Sequence, residues 1–244
     1  MFIQPTIFTE PSIIAAQSTR TGGVSPSPFN SLNLGLAVND NPEYVAENRK
    51  RFFNKLGIAK EQLVLSKQVH GKEVLVANAP IITEGYDAFI TNQKNVFLAI
   101  SIADCTPILI YDSANKAVAA AHAGWKGTVA EIVTNTLTKM NVIYGTRGKD
   151  CYAYIGACIS FDNFEVNNDV AQHFNETLKM FDEHKQKWFI NLKEANNQQL
   201  QAFGIPENNI EITTHCTVAD EQLFFSHRRD KGNSGRMMAV IGMK

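Results

Sequence analysis

Short apolar or alternating runs with turn residues between them fill the middle of the chain. LVLSKQVH, EVLVA, DAFIT, VFLAISIA, PILIYD and KAVAAAH each predict a strand. Several are apolar on both faces, the pattern of strands buried between layers. SIIAAQST at 12–19 and CYAYIGACI predict further strands, as do the segments near 209–214 and 236–241. Helical spacing is rarer. Asn41-Pro42 is an N-cap type followed by proline at the first turn; Val45, Phe52, Phe53 and Leu56 give that helix an apolar side, and Gly57 ends it. A second helix is predicted over about 128–141, with Val129, Ile132, Val133, Leu137 and Met140 on one side, and others over 169–178 and 192–203. RTGGVSPSPFNSLNLG reads as an ordered loop pinned by Phe29, Leu32 and Leu34. Strands come in blocks rather than alternating with helices. The expected class is therefore α+β with packed sheets, not a doubly wound fold. No repeat or boundary divides residues 1–244, which reads as a single domain.

Composition acts by exclusion. A formal net charge of −1 offers no basic surplus for a nucleic-acid backbone. No apolar run approaches the ~18 residues of a membrane span, and the start lacks a signal-peptide pattern. The expectation is a soluble cytoplasmic protein. The four cysteines have no CxxC spacing, so they read as thiols or metal ligands rather than disulfides.

Three borderline-soft ligand types close or follow predicted strands: His70, Cys105 and His122. Strand ends of one sheet can bring such residues to one edge. Two imidazoles and a thiolate suit zinc with an open fourth position. The alternative is a pair of structural histidines and a small buried thiol. In HAGWKGT, Gly124 and Gly127 permit close approach, and a helix start at Thr128 would offer N–H groups to an anion; a plain turn capped by Thr128 is the alternative. Arg20, Arg228, Arg229 and Arg236 are forks for phosphate or carboxylate, or else charges on a solvated surface turn. Asp87 and Asp104 are candidates to orient a metal-bound histidine, although Asp104, adjacent to Cys105, points to the other strand face. Cys158 reads as core.

Taken in order, SKQVHG, DAFIT, ADCTPILI, AAAHAGWKGT, IGACIS and SHRRDKGNSGRMMAVIGM resemble the YfiH-like family across nearly the whole chain. That family has been labelled polyphenol oxidase or laccase-like and, more recently, purine nucleoside phosphorylase. The resemblance implies a zinc site on His70, Cys105 and His122, which would also be the catalytic residues. It implies a layered α/β/β/α sandwich similar to the deamidase domain of cytotoxic necrotizing factor. It further implies phosphorolysis of adenosine, inosine and methylthioadenosine, with deamination of adenosine as a second reaction. One departure is Gly156-Ala157-Cys158-Ile159, where many relatives have Gly-Pro-Cys-Ile. The reading that follows is a zinc-dependent phosphorylase taking purine nucleosides and phosphate, with Arg20, Arg229 and Arg236 as anion contacts. Two rivals stand beside it. A copper polyphenol oxidase shares the His2Cys set, but a multicopper laccase needs about ten histidines and this chain has six, of which His173, His184 and His215 lie in unrelated segments. A thiol hydrolase would use Cys105 as nucleophile and His122 as base; the family label of peptidoglycan editing factor belongs to that reading.

Overall fold

Alternation along the central strands sets the layers. The computed structural model describes residues 1–244. One six-stranded sheet runs in the order Phe2–Ile3, Ile13–Ser18, Met237–Met243, Phe97–Ile102, Leu63–Lys67, Ile81–Glu84. A second runs Ile210–Ile212, Cys151–Ile155, Thr106–Asp112, Ala117–Ala123, Ala88–Thr91, Val74–Val76. Both mix parallel and antiparallel pairs. Leu98 and Ile100 of the first sheet meet Leu109, Val118 and Ala120 of the second in one apolar cluster between the sheets. Their neighbours face outward, since successive side chains alternate. Phe97 and Ala99 pack under Phe52, Phe53 and Leu56 of helix α1 (Pro42–Leu56). Between Trp125–Val129 (α2) and Asn168–Ala171 (α4) lies α3, Ile132–Tyr144. This helix and α5 (Leu192–Ala202) cover the outer face of the second sheet through Ile132, Leu137 and Leu200 against Ile108, Ile110 and Ala119. The result is a mixed α+β sandwich, sheet on sheet with helices outside.

Helix α1 follows its sequence pattern: the Asn41 side chain accepts from Glu43 N–H, proline opens the first turn, and Gly57 caps the end at φ 66°. Two helix predictions need correction. The segment 128–141 is not one helix. Glu131 takes a left-handed φ of 57°, which breaks the run into α2 and α3. Val129 is consequently exposed, and Thr128 lies inside α2, which is capped by Gly124. The segment 169–178 holds only α4 and a single 3-10 turn, Glu176–Leu178. Ala171, Phe174 and Leu178 instead pack on a small sheet of Glu165–Val166, Lys187–Ile190 and Lys179–Asp182 that apolar spacing did not reveal.

Candidate metal centre and cavity

Strand register builds the centre. Ala88 pairs antiparallel with Ala121, and one step further Asp87 stands against His122, whose N–H donates to the Asp87 carbonyl at 2.8 Å. Thr106 pairs with Ala123, so one step beyond that pair Cys105 faces Gly124. Three strands thus bring Asp87, Cys105 and His122 to one end of the second sheet. His70 arrives from the first sheet. Its strand stops at Lys67, earlier than the sequence suggested, and His70 sits in the following loop at φ 59°.

Asp87 holds that loop. Fully buried, its carboxylate accepts from the N–H groups of Val69, His70 and Gly71 at 3.1, 3.0 and 2.8 Å. It also meets His122 Nδ1 at 2.8 Å, which leaves Nε2 as the free ring nitrogen. The donor atoms of His70, Cys105 and His122 all lie within 4.8 Å of one another. The two histidine rings stand edge to face at 4.9 Å. Gly124 leaves room for the cluster: a Cβ there would stand 3.0 Å from Cys105 Sγ and 3.1 Å from His70 Cδ2 and would press both side chains. Gly127 lets the start of α2 close on the His70 loop, where a Cβ would come 3.1 Å from the Gly71 carbonyl.

Burial works against a charged Cys105, but the adjacent His122 charge and hydrogen bonds from both histidines outweigh it and bring the thiol down to about 6. His122 is raised in turn: burial disfavours its charge, while Cys105 and Asp87 favour it more. Asp87 stays below the ordinary carboxylate range because its hydrogen bonds to His122 and the loop N–H groups overcome its burial.

The centre opens into a cavity of about 640 Å³ lined by Arg49, Arg228, Arg236 and His227, with Leu36, Leu65, Ile82 and Phe164 among its apolar residues. Arg236 lies along Gly35, donates to the Ser234 and Gly235 carbonyls, and is 3.5 Å from His227 Nδ1. Arg228 stacks on Phe164 and donates to the Glu165 carbonyl. Arg20 and Arg229 do not line this cavity. Arg20 is bound to Asn30 and the Glu221 carbonyl. Arg229 is spent on Asp230 and the carbonyls of Thr217, Val218 and Phe224. Asp104 orients no histidine. Its carboxylate accepts from Thr217 Oγ1 and from the Arg228 N–H, both at 2.6 Å, and so ties the Arg228 loop to the Cys105 turn. Cys158 is fully buried. The other histidines lie apart from the centre: His173 stacks on Trp125, His215 binds Asp220, and His184 lies in an exposed turn.

The sequence reading gave no weight to Arg49 or His227. His227 stood inside the SHRRDKGNSGRMM motif, directly before Arg228, but was not singled out. Arg49 had a signal in its position: it falls four residues after Val45 and three before Phe52, on the apolar stripe of α1, where an ordinary surface helix carries no charge.

Residues 14–244 match the family model described as multi-copper polyphenol oxidoreductase laccase. The chain is 36% identical to the purine nucleoside phosphorylase YlmD of Bacillus subtilis, over 95% of this chain and 89% of that protein. It is 40% identical to a purine nucleoside phosphorylase of Deinococcus radiodurans, over 93% and 88% respectively. Its structure superposes on the crystal structure of YlmD from Geobacillus stearothermophilus with a TM-score of 0.92 at 31% identity, covering 100% of this chain and 96% of that one.

Proposed function

The chain belongs to the family described as multi-copper polyphenol oxidoreductase laccase, which includes the YfiH and YlmD proteins, and from that membership we propose that it is a purine nucleoside phosphorylase. The observation that carries the reading is the near-full-length match to relatives of that name. The substrates in this reading are adenosine, inosine and methylthioadenosine, with deamination of adenosine as a second activity.

The chemistry is a displacement at the ribose. A phosphate oxygen bonds to C1′ as the C1′–N9 bond breaks; the bonding pair leaves with the purine, which takes up a proton, and ribose 1-phosphate remains. Arg236 and Arg228 face the cavity and hold the phosphate; their guanidinium forks match its oxygens. Asp104 fixes the Arg228 loop against the Cys105 turn and so sets the distance between anion and centre.

The donor set fits zinc: two imidazole nitrogens and a thiol already brought down to about 6, with Asp87 fixing the ring of His122. His70, Cys105 and His122 would hold the zinc, which would supply Lewis-acid chemistry beside the cavity. Copper is the alternative metal for this set. The six histidines do not assemble into the ligand sets of a multicopper oxidase.

One observation favours a second reading. Cys105, His122 and Asp87 form a thiol–imidazole–carboxylate array, the arrangement of a thiol hydrolase. The likeness to the cytotoxic necrotizing factor deamidase that the family resemblance implies would belong with that reading. The test is base release by metal-defined protein from inosine and adenosine, with and without phosphate. Release should depend on phosphate, and Arg236→Ala should raise the phosphate KM roughly thirtyfold, the equivalent of about 2 kcal/mol for a lost charged contact. Equal release in phosphate-free buffer contradicts phosphorolysis. Amide cleavage through Cys105 without nucleoside consumption establishes the second reading instead.

A further inference from the structure

Two arginines outside the cavity have their donors absorbed by protein. Arg229 spends its fork on Asp230 and three carbonyls, and Arg20 on Asn30 and Glu221. Arg49 differs. It projects from the buried stripe of α1, between Val45 and Phe52, into the cavity wall. Its Nε donates to the Leu34 carbonyl at 2.9 Å, which fixes the plane of the guanidinium. Neither terminal nitrogen has a protein acceptor within hydrogen-bond reach, and no carboxylate pairs with it. Burial alone pulls it down to about 10. A half-buried cation without a counter-charge is costly, and the cost is lifted when an anion completes it.

We propose that Arg49 is an anion-binding residue of the cavity, and that the anion it takes is a tetrahedral oxyanion of the phosphate class. The two free terminal nitrogens present parallel N–H donors, the geometry that meets two oxygens of such an ion. The rigid tether at Leu34 spares the entropy of ordering a free arginine. The same short segment holds a second cavity arginine in place: Leu34 N–H donates to the Arg236 carbonyl, and Asn33 Oδ1 accepts from Arg236 N–H. Residues 33–34 are thus a common anchor for Arg49 and for the Arg236 backbone. The identity of the anion rests on the phosphorylase reading; the binding role of Arg49 does not.

Calorimetric titration of the zinc-loaded full chain with inorganic phosphate tests this, with wild type, Arg49→Met and Arg49→Lys compared. Arg49→Met keeps the length of the side chain and removes the charge. Its Kd for phosphate should be weaker by at least about tenfold, with Arg49→Lys in between, because a point charge lacks the fork. In phosphate-free buffer Arg49→Met should melt within a few degrees of wild type, since loss of the hydrogen bond to the Leu34 carbonyl is offset by removal of an uncompensated charge. The rise in Tm that a given phosphate concentration gives wild type should be clearly smaller in the variant. A wild-type phosphate Kd in Arg49→Met overturns the proposal. So does a large loss of Tm without phosphate, which would make Arg49 a structural residue. If wild type binds phosphate through Arg49 but consumes no nucleoside, the site stands and the phosphorylase reading falls.

Discussion

The Asp87 carboxylate accepts from three successive loop N–H groups and fixes His122, so one side chain positions a residue of the candidate centre from each sheet. In Asp87→Asn an amide NH2 replaces one acceptor and turns a donor toward donors. Zinc affinity should fall by about 10- to 100-fold, and stability by roughly 2–4 kcal/mol. Chelator competition and urea unfolding measure the two. The pH sign follows from the lowered Asp87 pKa. Its stabilisation is complete above the ordinary carboxylate value of about 4 and is lost as pH falls through the lower folded value. The metal-free wild type should therefore shed this contribution only below about pH 4, and Asp87→Asn should show no such loss. An unchanged affinity and acid limb in the variant would remove Asp87 from this role. Cys105 gives a second test. In metal-free protein its alkylation should be half-maximal near pH 6, while Cys151 and Cys158, pushed up by burial to about 12 and 11, stay unreactive at neutral pH. Zinc should protect Cys105, as read by site-resolved mass spectrometry. Alkylation that follows an ordinary thiol near 8.5 would break the Cys105–His122 coupling. The grouping of His70, Cys105 and His122 was legible from their residue types at strand ends together with the family resemblance. The arginines were not, because residue type alone does not separate a guanidinium spent on carbonyls from one facing a cavity.

At the scale of elements, α1 and the loop before it form one unit. Asn48 is fully buried; its side-chain nitrogen donates to Ser25 Oγ and to the Ser31 and Asn33 carbonyls, and its oxygen accepts from Val24 N–H. The loop was legible as ordered from its apolar anchors, and Leu32 and Leu34 are indeed buried beside Phe52. Asn48→Ala leaves these groups unpaired and should cost roughly 2–4 kcal/mol in urea unfolding. It should also weaken phosphate binding, because Asn33 and Leu34 anchor Arg236 and Arg49. Lost stability with full phosphate affinity would uncouple the loop from the cavity. Helices with caps and a clear stripe, such as α1 and α5, were readable from sequence. The segment 169–178 was not: Ala171, Phe174 and Leu178 have near-helical spacing, yet they pack against a small sheet whose strands are at most four residues long. Strands that short carry too few alternations to register as a period. The break at Glu131 was hidden for a related reason, since its left-handed backbone leaves no mark in residue type.

For the whole molecule, two packed sheets end at one edge, and the candidate centre stands where they meet. One sheet contributes His70 and the other Cys105 and His122. Arginines from helix α1, Arg49, and from the segments before the last strand, Arg228 and Arg236, border the same cavity. Layering and class were legible from doubly apolar strands. The meeting of two sheets at the centre was not, because it depends on long-range register. This architecture, with membership in the family, leads to one claim: the protein transfers a ribosyl group from purine to phosphate. The most direct measurement is 31P NMR of the zinc-loaded protein with inosine and inorganic phosphate. The account predicts that the phosphate resonance declines as a ribose 1-phosphate resonance grows, in step with free hypoxanthine. Hypoxanthine released with free ribose while the phosphate resonance stays constant would contradict it.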